Sequence, residues 1–211
     1  MLTVHHLRLS QSERIVWLCE ELGIDYEVKL YTRRSDNNLA PDEYKALHPM
    51  GIAPVITQGD FVLGESGAII DWIIGQYGDR GLVPGKEHPD FADHLFYYHW
   101  ANATFMTNGM MALVAGRMVQ GGEMPPFVAD RNAKGWKIVE QRLGEADYFG
   151  GSQLTTADIM MGFQLTTSRA MSGMGIDGMP NLQAYLKRIG ERPAYQAAMA
   201  KAEPGMPPKL D

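Results

Sequence analysis

The sequence predicts an α/β domain followed by an all-helical domain. Three observations carry this. Strand and helix signals mix over the first 77 residues, residues 78–88 are dense in glycine and proline, and helical periodicity alone follows. The domains are therefore drawn at 1–77 and 89–211, with 78–88 as the linker.

Within the first domain, Leu2, Val4 and His6 alternate with Thr3, His5 and Leu7, as a short strand does. Ser10-Gln11-Ser12-Glu13 then offers capping residues and an early acid. Ile15, Leu18, Cys19 and Leu22 follow at helical spacing, and Gly23 stops that helix. Tyr26, Val28 and Leu30 alternate again, giving a second strand. Thr32 to Asp42 is polar and loop-like, and Glu43 to Leu47 fits one or two helical turns. Val55-Ile56 and Phe61-Val62-Leu63 flank Gln58-Gly59-Asp60, a hairpin pattern. Ser66 reads as the cap of a helix carrying Ile69, Ile70, Ile73, Ile74 and Tyr77. The order is β-α-β-α-β-β-α. Its first unit implies a parallel pair with a right-handed crossover, and its hairpin adds antiparallel strands.

In the second domain, Phe91, Leu95, Tyr98, Phe105 and Leu113 are expected on one face of a long helix over residues 89–120. Gly121-Gly122 and Pro125-Pro126 interrupt it. A second helix runs from Phe127 to Leu143, and Thr155-Thr156-Ala157-Asp158 opens a third. Pro180 and Pro193 start two short ones. The tail, Glu203 to Asp211, holds three prolines and reads as irregular.

Bulk charge excludes some functions. The net charge is −6, and the first 78 residues carry 6 basic against 11 acidic side chains. That is no nucleic-acid binder. An anionic ligand there needs local backbone donors rather than a positive field. The single cysteine, Cys19, permits no intrachain disulfide and fits a reducing compartment. Its place on the apolar face of the first helix makes it core. The N-terminus lacks the basic and apolar regions of a leader, and no apolar run reaches the roughly 20 residues that span a bilayer. A cytoplasmic, soluble protein is expected. His94 and His99 lie five apart, off the metal-binding spacing, and no metal is expected.

Two segments point to a ligand. Met50-Gly51-Ile52-Ala53-Pro54-Val55 places a proline between the β-α-β unit and the hairpin, where it resembles the cis-proline of the thioredoxin fold. A cis bond there turns the Ala53 backbone outward, able to pair with a peptide as an added strand does. Glu65-Ser66 begins a helix whose free N–H groups suit a carboxylate, while Glu65 suits an ammonium group. Together they suit an α-amino acid head.

The order Ser10…Ala53-Pro54…Glu65-Ser66, the Gly/Pro linker, the helical second half and the Thr155-x-x-Asp158 capping box resemble the glutathione transferase superfamily along the whole chain. The Ser10-Gln11-Ser12-Glu13-Arg14 motif is similar to its bacterial and fungal serine-type members. The resemblance implies a thioredoxin-like domain that binds glutathione as co-substrate and a helical domain that lines an electrophile pocket. It also implies a homodimer and a role in detoxification. Glu65 and Ser66 then hold the γ-glutamyl head, and Ile52, Ala53 and Pro54 lie along the cysteinyl part. Tyr98, Asn102, Phe105 and Met106 are expected near the electrophile. Ser10, with Ser12 as its alternative, donates a hydrogen bond to the sulfur. Lowering a thiol pKa by about two units takes roughly 3 kcal/mol, which one charge-assisted hydrogen bond and a helix N-terminus can supply. Many relatives carry Lys where this chain has Ile52, leaving Arg14, Arg33, Arg34 or His48 as substitutes. The same scaffold also carries β-ether cleavage, dehalogenation, isomerisation, attack on peroxides, or non-catalytic binding modules.

Overall fold

A computed structural model describes residues 1–119 and 123–211. Strand β1 (Leu2–Leu7) lies inside a four-stranded sheet ordered β2-β1-β3-β4. It pairs in parallel with β2 (Tyr26–Tyr31), Leu2 opposite Tyr26, and antiparallel with β3 (Val55–Gln58), Val4 opposite Ile56. The chain turns through Gly59, at φ +60°, into β4 (Phe61–Gly64). Glycine reaches that conformation without a Cβ penalty. Helices α1 (Glu13–Leu22), α2 (Asp42–Lys45) and α3 (Ser66–Tyr77) complete the expected order.

Helix α1 is buried on nearly every side, because β1, α3, α7 and α10 all pack on it. Its Leu18, with Val4 and Ile70, shares one continuous apolar core with Ile159, Tyr185 and Met199 of the helical domain. On the other face of the sheet, Leu7, Tyr31 and Val55 pack with Tyr44 of α2.

The helical domain contains α4 (Phe91–Trp100), α5 (Thr107–Met118), α6 (Pro126–Glu145), α7 (Thr156–Leu165), α8 (Thr167–Ser172), α9 (Pro180–Gly190) and α10 (Pro193–Ala202). Pro126, Pro180 and Pro193 each stand at the first helical position, where a missing N–H costs nothing. The expected capping box is formed. Thr155 Oγ1 accepts from the Ala157 N–H at 3.2 Å, and Asp158 Oδ2 accepts from the Thr155 N–H at 2.9 Å. Among the described residues, no helix is long and apolar enough to cross a membrane.

Three expectations are corrected. The single long helix is instead α4 and α5 joined by a π-helical stretch, Ala101–Met106. Its buried face runs through His94, Tyr97, Tyr98 and Ala101, leaving Leu95 and Leu113 exposed. The Gly121-Gly122 break lies outside the described residues. Neither Ser66 nor Ser12 caps a helix with its side chain, since Ser66 is the first residue after the N-cap Glu65 and the Ser12 hydroxyl is bonded elsewhere. Beyond these, Thr166 separates α7 from α8. At their junction, Thr166 Oγ1 donates back to Gly162 O at 2.9 Å and Thr167 Oγ1 donates to Glu13 Oε2 at 2.6 Å.

Burial pushes the Glu13 carboxyl up to about 7, against the opposing pull of the Thr167 and Thr166 hydroxyls and the Arg14 charge. A carboxyl raised on folding stabilises the fold while protonated. That contribution is complete below about pH 4.5 and lost as the pH rises through about 7. Glu13→Gln keeps an acceptor for Thr167 and removes the titration. Urea unfolding across this range is expected to show a flatter profile, with the variant more stable than wild type near pH 8 by on the order of 1–3 kcal/mol. Parallel profiles for the two proteins contradict this.

Candidate functional site

The loop from Arg8 to Ser12 carries β1 into α1. Leu9 within it has φ +57°, a left-handed conformation that costs an L-residue roughly 1–2 kcal/mol. Its neighbours impose it. The Leu9 N–H donates to Glu203 Oε1. Arg33 donates from Nη2 to Leu9 O at 3.1 Å and from Nε to Arg8 O at 3.2 Å. Ser10 then lines a cavity of about 660 Å³. Ser12 is fully buried beneath it, with its Oγ 2.7 Å from Ser10 Oγ and 2.8 Å from His6 Nδ1. Of the two serines, Ser10 faces the cavity and Ser12 lies behind it.

A second cavity, of about 640 Å³, opens on the start of α3. The first backbone bond of that helix runs from the Ile69 N–H to Glu65 O at 2.9 Å. The N–H groups of Ser66, Gly67 and Ala68 are therefore the unpaired donors of the first turn. Glu65, held at φ +73°, and Asp71 add two carboxylates to the same cavity. The Tyr98 hydroxyl lies 2.7 Å from Asp71 Oδ1 and 2.9 Å from Gly67 O, tying α4 to this helix start. Gln11, Ile52, Ala53 and Met106 line both cavities, so the two are adjoining halves of one groove. The Ala53–Pro54 peptide is cis, and Pro54 lines the second half.

The substitutes proposed for a lysine at Ile52 have other employment. Arg14 is 1 % exposed and braces the two domains. Its Nη1 donates to Gln11 Oε1 at 2.6 Å and Asn102 Oδ1 at 2.7 Å, and the guanidinium lies 5.6 Å from the Phe163 ring. Burial lowers its pKa to about 10, with Glu13 nearby opposing the shift. Arg33 is committed to carbonyls, Arg34 pairs outside with Asp36 and Asp42, and His48 Nδ1 accepts the Met50 N–H. Lys45 of α2, which sequence reasoning passed over, lines the Ser10 cavity beside Gly51 and Ile52, its Nζ 3.4 Å from the exposed Asp42 carboxylate.

The four residues expected at an electrophile separate. Tyr98 and Asn102 line the polar half, and Met106 lines both halves. Phe105 lines neither and is corrected to core. It is 2 % exposed, stacked on Trp100 at 4.7 Å and edge-on to Trp136 at 5.0 Å. The apolar wall is built instead from Met106, Met110, Met111, Phe163 and Met171. Cys19 is core as expected, its thiol pushed up by burial and by Glu20.

His6 and Glu203 were also missed. His6 reads as one more strand residue, and Glu203 arrives from about 190 residues away, beyond any local pattern.

Residues 10–75 match the family model described as glutathione S-transferase, N-terminal domain, and residues 103–193 match that for the C-terminal domain. The chain is 33 % identical to a glutathione S-transferase of Actinobacillus pleuropneumoniae whose crystal structure superposes with a TM-score of 0.82, covering 96 % of this chain and 93 % of that one. It is 25 % identical to glutathione S-transferase 3 of Schizosaccharomyces pombe, over 96 % of this chain and 88 % of the relative. It is also 25 % identical to glutathione S-transferase GstB of Escherichia coli K12, over 87 % and 90 %.

The placement of adjacent π-helical residues is testable by stability. Phe105→Ala is expected to cost about 3–5 kcal/mol in denaturant unfolding, whereas Met106→Ala, at the cavity wall, costs about 1 kcal/mol. Equal losses would put Phe105 at the wall instead.

Proposed function

The chain belongs to the glutathione S-transferase family, and on that premise we propose that it activates glutathione for attack on an apolar electrophile, with Ser10 at the sulfur. One observation carries the reading: the Ser10 hydroxyl and the open start of α3 face two halves of a single groove that meet at Ala53. The γ-glutamyl carboxylate takes the N–H groups of Ser66 and Gly67, and its ammonium group takes Glu65 and Asp71. The cysteinyl backbone runs along Ala53, which brings the sulfur to Ser10. Lys45 supplies the cation that Ile52 lacks, toward the glycyl carboxylate.

The electrophile occupies the apolar half, among Met106, Met110, Met111 and Phe163. Unbranched thioethers repack around varied shapes, which suits a range of substrates better than one. The thiolate attacks the electrophilic centre, a carbon or a peroxide oxygen. The new bond to sulfur forms as the leaving group departs with its electron pair. Holding both reactants in one groove contributes much of the rate. A symmetric homodimer in the cytoplasm completes the reading. Exposed Phe61, Val62, Leu95 and Phe96 support an association surface, and sedimentation checks it.

Calorimetry and kinetics with an aryl halide test the assignment. Wild type is expected to bind glutathione. Ser10→Ala should bind within about threefold of wild type, yet lose about 10²-fold in kcat/KM. Glu65→Gln should weaken binding by about tenfold or more, as loss of a charged partner does. Failure of wild type to bind glutathione at millimolar concentration overturns the proposal and favours a non-catalytic module.

A further inference from the structure

Behind Ser10 runs a chain of hydrogen bonds that leaves the groove and ends on Glu203, just after α10. Ser10 Oγ lies 2.7 Å from Ser12 Oγ, Ser12 Oγ lies 2.8 Å from His6 Nδ1, and His6 Nε2 lies 3.1 Å from Glu203 Oε1. Ser12 and His6 are 0 % exposed, Glu203 2 % and Ser10 6 %. The relay is thus enclosed except at its two ends, where Ser10 meets the groove and Glu203 borders a separate cavity.

The partners determine the proton positions. Glu203 takes up the Leu9 N–H and Arg8 Nε, the latter at 3.0 Å, as well as His6. Burial raises its pKa, but these donors outweigh it and hold the carboxyl below its ordinary value. An ionised carboxylate only accepts, so His6 Nε2 carries a hydrogen. In a neutral imidazole, Nδ1 is then the acceptor. Ser12 donates to it, and Ser10 donates to Ser12. In this state the Ser10 hydrogen points away from the groove; its Oγ accepts the Ser12 N–H at 3.3 Å and has one lone pair left for a ligand.

We propose that the relay takes the thiol proton of bound glutathione, with His6 as its resting place, so that ionising the thiol also reverses the Ser10 hydroxyl. This rests on the glutathione reading above. The step balances as follows. The S–H bond breaks as its proton passes to Ser10 Oγ. The Ser10 proton passes to Ser12, the Ser12 proton passes to His6 Nδ1, and a new N–H bond forms there. One thiolate and one imidazolium result, and Glu203 faces the imidazolium as counter-ion. Every hydrogen bond between His6 and the sulfur now runs the other way: Nδ1–H to Ser12, Ser12 to Ser10, Ser10 to the thiolate, while Nε2–H still donates to Glu203. Ser10 thus accepts from the thiol and donates to the thiolate. Ser12, His6 and Glu203 are positioning residues for it. Arg8 just after β1, Arg33 after β2 and Glu13 on α1 are the other charged groups around Glu203. In an addition reaction the same chain returns the proton to the product. In a displacement the proton leaves to solvent, and Glu203 borders a separate cavity of about 300 Å³ on the far side.

The test counts protons. Glutathione is titrated into wild type near pH 7 by calorimetry in buffers of differing ionisation enthalpy, while the ultraviolet thiolate band reports how much sulfur is ionised. Wild type is expected to form thiolate with far less than one proton released per thiolate. Ser12→Ala, which cuts the chain with the smallest change of volume, should bind glutathione within about threefold. Its bound thiol should be harder to ionise by about 1–2 pKa units, a ten- to hundredfold fall in its ionisation constant. Any thiolate it forms should release its proton to the buffer. His6→Asn is expected to match it, and Ser12→Ala alone decides if that variant does not fold. One full proton released per thiolate in wild type overturns the relay. So does a Ser12→Ala thiol that titrates as wild type does, since a merely structural Ser12 gives that result. A wild type that binds no glutathione overturns the underlying reading and the relay with it. One that binds without a thiolate band overturns the relay and spares the binding.

Discussion

A carboxylate taken out of water must be given donors, and Glu203 obtains all of its donors from the first domain. Its position just after α10 leaves it 2 % exposed, and His6, Arg8 and the Leu9 N–H turn toward it. Those donors sit at the end of β1 and in the loop that follows. The consequence is geometric. Leu9 is held in a left-handed conformation it would not choose, and Ser10 is thereby presented to the groove. An isolated surface ion pair is worth little, but here one carboxylate closes several buried bonds at once, and removing it leaves each of them unmet.

Helix α1 plays the complementary part. Because sheet, α3, α7 and α10 all cover it, polar groups on it must find partners inside. Glu13 finds Thr167, and Arg14 finds Gln11 and Asn102. Both pairings reach into the helical domain. The groove between the domains is therefore walled by groups whose positions are set by buried polar contacts, while its apolar half is lined by flexible methionines. Rigid recognition on one side and adaptable packing on the other fit the proposed pairing of one constant co-substrate with variable electrophiles.

Most of the fold was legible because it is written in local patterns. Alternation marked β1 and β2, Gly59 marked the hairpin, Pro180 and Pro193 marked helix starts, and Thr155 with Asp158 marked a capping box. What was not legible depends on partners distant in sequence. Ser66 was read as a cap, yet its hydroxyl lies toward Gln11 and Arg14. Phe105 was placed near the electrophile by resemblance, on a helix expected to be continuous. The π-helical stretch shifts the face, and Trp100 and Trp136 enclose it. Ser10, Ala53, Glu65 and Ser66, which motif order singled out, all line the groove. His6 and Lys45 looked like an ordinary strand residue and an ordinary surface lysine. Glu203 carried no signal, because nothing local tells a tail residue that it will be buried against β1.

The Gly/Pro linker invites the idea that such proteins are assembled from exchangeable halves. The grip of Glu203 limits that idea. A chimera joined within residues 78–88 inherits every groove residue of the first domain but receives its second half, including the position after α10, from another parent. Unless that parent supplies a carboxylate at the same depth, the graft carries its groove residues on a loop that Arg33 still grips but that has lost its partner for the Leu9 N–H.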